Sequence, residues 1–116
     1  MSNTLDVTVR REGRVGILET NGYINDTEAE KIVDACQPLI DEGVVHLVLN
    51  LAQSNIANSL GISILIEVIE KTRELNGQVG FCHVAPILAK TFQIMGLLNE
   101  AKIFDTEAEA VQALGG

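Results

Sequence analysis

Residues 44–51, Val-Val-His-Leu-Val-Leu-Asn-Leu, restrict the fold of this chain more than any other stretch. A strand with one face in water alternates apolar and polar residues. This run is almost continuously leucine or β-branched, so it needs cover on both faces. Residues 52–59 follow with small polar side chains suited to a turn. Residues 60–75 then change to a helical period. Steps of about 100° per residue set Ile62, Leu65, Ile66 and Ile69 on one stripe, which Ile64, Val68 and Leu75 widen. Glu67, Glu70, Lys71 and Glu74 gather on the opposite side. A doubly covered strand feeding an amphipathic helix belongs in an α/β sheet.

The junction between strand and helix is the chemically interesting part. Asn58 or Ser59 can accept a hydrogen bond from the free amides that open the helix. Ser59 is expected at the helix N-terminus beside Gly61, where little side-chain bulk covers the backbone, and such a position suits a phosphate. Leu60 and Ser63 fall near or on the polar side, close to Ser59. An exposed serine, leucine and glycine there form a candidate docking surface.

The flanking segments fit around this unit. Residues 5–10 alternate, residues 11–14 are a polar break, and residues 15–20 read as the second strand of an antiparallel hairpin. Asn25-Asp26-Thr27 offers a cap, with Glu28 and Glu30 in the first turn, for a helix carrying Ile32, Val33, Cys36, Leu39 and Ile40 at helical spacing and ending near Gly43. Pro38 inside that pattern is expected to kink the helix or divide it. Asn76-Gly77 turns into a strand at 78–84, Ala85-Pro86 opens a helix at 87–95 that ends at Gly96, and a short strand at 101–104 precedes a helix at 108–114 capped by Asp105-Thr106-Glu107. The predicted order is ββαβαβαβα over one domain, residues 1–116. Its sheet is mixed, an antiparallel hairpin followed by largely parallel strands, with helices packed on it.

Composition excludes several functions. Eight basic against sixteen acidic residues give a net charge of −8, and aromatic residues make up 3%. Direct nucleic-acid binding needs a basic patch and is favoured by aromatic platforms, and neither is present. An acidic surface suits a basic partner instead. No stretch is long and apolar enough for membrane insertion, and the first residues have neither a basic region nor an apolar run, so a cytoplasmic location is expected.

Other chemistry-bearing residues lack a constellation. Cys36 and Cys82 have no CxxC or histidine context and read as buried free thiols. His46 and His83 are expected in separate strands without ligand spacing. Glu67, Glu70 and Glu74 share their arc with Lys71 and read as a solvated face rather than a catalytic carboxylate pair. Residues 95–98, Met-Gly-Leu-Leu, are expected to pack in the core, with partner contact the lesser reading. No phosphate-binding glycine loop, nucleophile elbow or metal-spacing motif occurs, so neither an enzyme nor a bound cofactor is expected. A phosphocarrier would need a Cys or His in residues 20–26, which have neither.

The run Leu47-Val48-Leu49-Asn50-Leu51 followed by Ile56-Ala57-Asn58-Ser59-Leu60-Gly61-Ile62 resembles the signature of STAS domains, the fold of bacterial anti-sigma factor antagonists. There a hydrophobic strand runs into Asp-Ser-Ser-Gly-Leu or a variant, and the serine after the aspartate is phosphorylated. Ser59 holds that position. Asn21-Gly22-Tyr23-Ile24-Asn25 is similar to the family's Gly-Glu-Leu-Asp segment, and Met95-Gly96-Leu97 to its later Gly-Leu, so the resemblance spans nearly the whole chain. It departs where Asn25 and Asn58 replace the usual aspartates and Leu60 the second serine. Membership would imply that the unphosphorylated protein binds an anti-sigma factor with serine kinase activity and so frees a sigma factor. The kinase would bring ATP, phosphorylation of Ser59 would break the complex, and a serine phosphatase would restore it. The implied contact surface is Asn25, Asn58, Ser59, Leu60 and Ser63. The resemblance also allows a STAS module that scaffolds a complex without the switch, as in a stressosome-like assembly or a lipid-transport accessory subunit.

Overall fold

The computed structural model describes residues 4–25 and 27–115. Its elements are β1 (Leu5–Glu12), β2 (Val15–Gly22), α1 (Glu30–Asp41), β3 (His46–Gln53), α2 (Ser59–Glu74), β4 (Gln78–Cys82), α3 (Pro86–Ile94), a 3-10 turn (Leu97–Asn99), β5 (Lys102–Phe104) and α4 (Glu107–Gly115). The five strands lie in chain order, β1-β2-β3-β4-β5. The first pair is antiparallel and every later pair parallel.

This order dictates the layers. Parallel crossovers are right-handed, and the three here all step the same way across the sheet, so α1, α2 and α3 fall on one face. Only α4, which no strand follows, covers the other. Side chains sort accordingly. Leu18 of β2, Leu47, Leu49 and Leu51 of β3, and Val79 and Phe81 of β4 join the large core beneath the three helices, with Ile32 and Leu39 from α1, Leu65 and Ile69 from α2, and Phe92 from α3. The Phe81 and Phe92 rings meet tilted at 53°, centroids 4.9 Å apart. Val15, Ile17, Val48 and Cys82 face the smaller core under Ala110 of α4. Residues 47–51 of β3 are all buried, as an unalternated run requires.

The start of α4 is fastened by charge. Glu107 accepts from Arg10 Nη2 (2.6 Å) and Asn50 Nδ2 (3.0 Å). The Arg10 guanidinium chiefly, with the Asn50 amide, holds the Glu107 carboxyl below its ordinary range. Thr106 Oγ1 accepts from the Glu109 N–H (3.2 Å), so the cap of this helix is Thr106.

Several local expectations are corrected. The central strand runs His46–Gln53 instead of 44–51, and β4 stops at Cys82. His83 therefore lies outside the strand, exposed in a bend at φ 55°. Leu75 does not widen the buried stripe of α2. It is the C-cap residue and 46% exposed, while Thr72, one turn earlier, is buried and satisfies its hydroxyl on the Ile69 and Val68 carbonyls. Pro38 neither divides nor ends α1, which is continuous over 12 residues. Its ring costs the Asp34 carbonyl a hydrogen bond, but both residues are exposed, so solvent can satisfy that oxygen. The helix also begins later than expected. Residues 27–29 form a turn in which Asn25 Oδ1 accepts from the Thr27 and Glu28 N–H groups (2.9 and 3.0 Å). The share of that cap expected from Asp26 lies outside the described residues. Of residues 95–98, Leu97 is buried, Leu98 half-buried and Met95 exposed, so the segment is only partly core.

Candidate functional site

The site stands where β3 leaves the sheet at its carboxyl edge, the usual position for function in a parallel sheet. Ser54 is fully buried and shares a 2.7 Å hydrogen bond with the buried Thr20 hydroxyl of β2, which anchors the start of the loop. Farther along, the Ile24 N–H donates to the Ile56 carbonyl (3.0 Å) and the Asn58 N–H to the Ile24 carbonyl (3.1 Å). This bridge lays the segment after β2 against the turn before α2.

Asn58 is the residue that caps α2. With extended backbone (φ −92°, ψ 173°), it accepts from the Gly61 N–H through Oδ1 at 2.7 Å. Ser59 is thus the first residue of the helix rather than its cap. It is exposed, and its hydroxyl has no partner among the described residues; its carbonyl accepts from Ser63 Oγ (3.0 Å). The first turn of α2 has no acidic residue, whereas Lys71 and Arg73 lie in its last turn. A phosphate on Ser59 would stand at the positive end of a 16-residue helix.

Gly61 is buried, against the expectation that it would be exposed beside Ser59. A Cβ there would sit 2.2 Å from the Ile24 carbonyl oxygen, so the glycine lets the helix begin directly beneath the Ile24 segment. Asn25 also turns inward and is 5% exposed. Its Oδ1 serves the turn before α1 and its Nδ2 donates to the Tyr23 carbonyl (3.1 Å). Ser59, Leu60 and Ser63 share the exposed side of the first helical turns, Asn58 is half-buried beneath them, and Asn25 lies inside the neighbouring loop. Leu60 is 58% exposed, and Ile56 at 63% adds a second aliphatic that the sequence reading left in the turn. Its signal was an isoleucine in an otherwise polar turn, with no strand or helix period to bury it.

The remaining nucleophiles do not gather here. Cys36 and Cys82 are buried, and burial pushes both thiols up to about 12, so neither supplies a thiolate near neutrality. His46 opens β3 and His83 lies beyond β4. Among the described residues no group of three or more His, Cys, Asp or Glu could hold a metal ion, and no helix is long and apolar enough to cross a membrane.

The cap makes a direct prediction. Replacing Asn58 with Ala is expected to cost about 1 kcal/mol in urea denaturation. Asn58→Asp keeps the acceptor and adds a charge the helix end favours, so at neutral pH it should match or exceed the parent by up to about 1 kcal/mol. That advantage should vanish at acid pH as the carboxylate is protonated.

Comparison with known proteins agrees with the fold. Residues 6–110 match the STAS domain family. BtrV of Bordetella bronchiseptica, named as an anti-sigma factor antagonist, is 24% identical over 92 residues, 79% of each chain. The crystal structure of an anti-sigma factor antagonist from Mycobacterium paratuberculosis has a TM-score of 0.86 at 20% identity, covering 100% of this chain and 98% of that one. The Bacillus cell fate determinant SpoIIAA in its phosphorylated form has a TM-score of 0.74 at 19% identity, covering 93% and 98%.

Proposed function

The chain belongs to the STAS domain family, and from that premise we propose that it is an anti-sigma factor antagonist switched by phosphorylation of Ser59. In its unphosphorylated form it binds an anti-sigma factor that is also a serine kinase, and a sigma factor is released. The kinase supplies ATP and transfers the γ-phosphoryl group to Ser59 Oγ, leaving ADP and a proton. A serine phosphatase reverses the modification. The observation that carries this reading is the disengaged, exposed Ser59 hydroxyl at the first position of α2, next in sequence to the exposed Leu60 and three residues after the exposed Ile56. Leu60 and Ile56 supply the apolar centre of the contact, Ser63 its polar border, and Asn58 and Asn25 hold the loop in shape. The net charge of −8 suits a basic partner surface.

Intact mass after incubation with the partner kinase, magnesium and ATP tests the reading. One added phosphate is expected, absent from Ser59→Ala. A second reading, a STAS scaffold that binds without a switch, is favoured by Asn25 and Asn58, which stand where the family's antagonists usually have aspartates. Unchanged mass together with a stable complex would select it.

A further inference from the structure

β1 is an edge strand of eight residues, and only its first is fully buried. The Leu5 N–H donates to Glu28 Oε1 and Lys31 Nζ donates to the Leu5 carbonyl, both at 3.1 Å. Both backbone groups of Leu5 therefore point away from β2. In an antiparallel ladder that direction recurs at every second residue, so Val7 and Val9 also present their N–H and C=O outward. Among the described residues no side chain bonds these groups. An open edge of this kind is a template for another strand.

We infer that its occupant is β1 of a second copy, antiparallel about a twofold axis at Thr8. Outward residues must meet outward residues and each face of the sheet must continue, which leaves registers centred on Val7, Thr8 or Val9. The register on Val9 sets Asp6 against Glu12, a like-charge pair. The register on Val7 brings Val9 to Leu5, whose backbone Glu28 and Lys31 already occupy, and leaves a single exchanged pair at Val7; the register on Thr8 also sets Leu5 against the partner's Arg11 but keeps two exchanged pairs. At Thr8 the pattern is self-complementary. Val7 and the partner's Val9 exchange both backbone hydrogen bonds, twice by symmetry; Asp6 faces the partner's Arg10, also twice; and Thr8 faces itself. Arg10 remains 47% exposed while bonded to Glu107 and has donors to spare. Val9, 43% exposed, gains cover beside the shallow groove lined by Leu5, Asp6, Val7, Lys31, Asp34 and Ala35. The contact is independent of the switch at Ser59.

One strand pair buries far less than the roughly 1,600 Å² of a standard interface, so the dimer is weak and reversible. Sedimentation equilibrium of the whole chain from about 10 μM to about 1 mM covers the range such a contact reaches. A dimer is expected at the upper end, with the dissociation constant raised about tenfold in Asp6→Arg. Thr8→Cys tests the register, because its Cα atoms would lie about 4.5 Å apart, within disulfide reach. Under mild oxidation Thr8→Cys should cross-link to itself, and Asp6→Cys only when mixed with Arg10→Cys. Buried Cys36 and Cys82 add no background. A monomer at every concentration, or Thr8→Cys cross-linking no faster than an exposed Glu70→Cys control, would overturn the proposal.

Discussion

Ser59→Asp is expected to weaken binding to the anti-sigma factor kinase by about a hundredfold or more, while Ser59→Ala binds within about threefold of the parent. The asymmetry follows from what surrounds the residue. The Ser59 hydroxyl has no hydrogen-bond partner among the described residues, so removing it disturbs nothing within the protein. A carboxylate at the same place would stand next in sequence to Leu60 and three residues after Ile56, both more than half exposed. An unpaired charge trapped in an apolar contact costs about 2–5 kcal/mol, equivalent to roughly thirtyfold to several thousandfold in affinity. In the free protein the sign reverses. A negative charge at the first position of α2 is favoured by the helix end by about 0.3–1 kcal/mol. The same variant should therefore be no less stable in urea, which separates lost binding from lost fold. Equal binding by both variants, measured calorimetrically, would refute the switch.

Gly61→Ala is expected to lower stability by about 2–3 kcal/mol, a fall in Tm on the order of 10 °C. In an open helix this exchange would stabilise by up to about 1 kcal/mol through backbone entropy. Here the new Cβ meets the Ile24 carbonyl, 2.2 Å from its oxygen and 2.7 Å from its carbon. That carbonyl cannot swing aside freely, because it accepts from the Asn58 N–H, and Asn58 in turn caps the helix through Gly61. Relief of the clash therefore sacrifices a backbone hydrogen bond and the cap, about 1 kcal/mol each. Overpacking and these losses together exceed the propensity gain. Thermal and urea unfolding by circular dichroism would measure it, and a variant as stable as the parent would show that the helix does not need this close approach.

Legibility in the sequence varied with how local the deciding interaction was. The element order and the mixed sheet were readable because hydrophobic period, turn residues and capping residues all act within a few positions. The unalternated run 47–51 announced a doubly covered strand, and the structure buries each of its residues. Element ends shifted by a few residues, as where the Asn25 side chain takes up the amides before α1 and where His83 turns to positive φ after β4. Pro38 does not divide its helix, because the bond it removes lies on the exposed side.

The candidate site divides in the same way. A helix opening on Asn58-Ser59, and the outward position of Ser59, Leu60 and Ser63, follow from helical geometry and polar patterning alone. That Gly61 is enclosed, that Asn25 turns inward, and that Ile56 stays exposed follow from one bridge between residues 24 and 57. Which helices share a face likewise depends on strand order, set by pairing between distant segments. The sequence by itself determined the elements and their order, since these answer to neighbours along the chain. Only the tertiary structure decided which side chains remained for a partner, because exposure depends on contacts between residues remote in sequence.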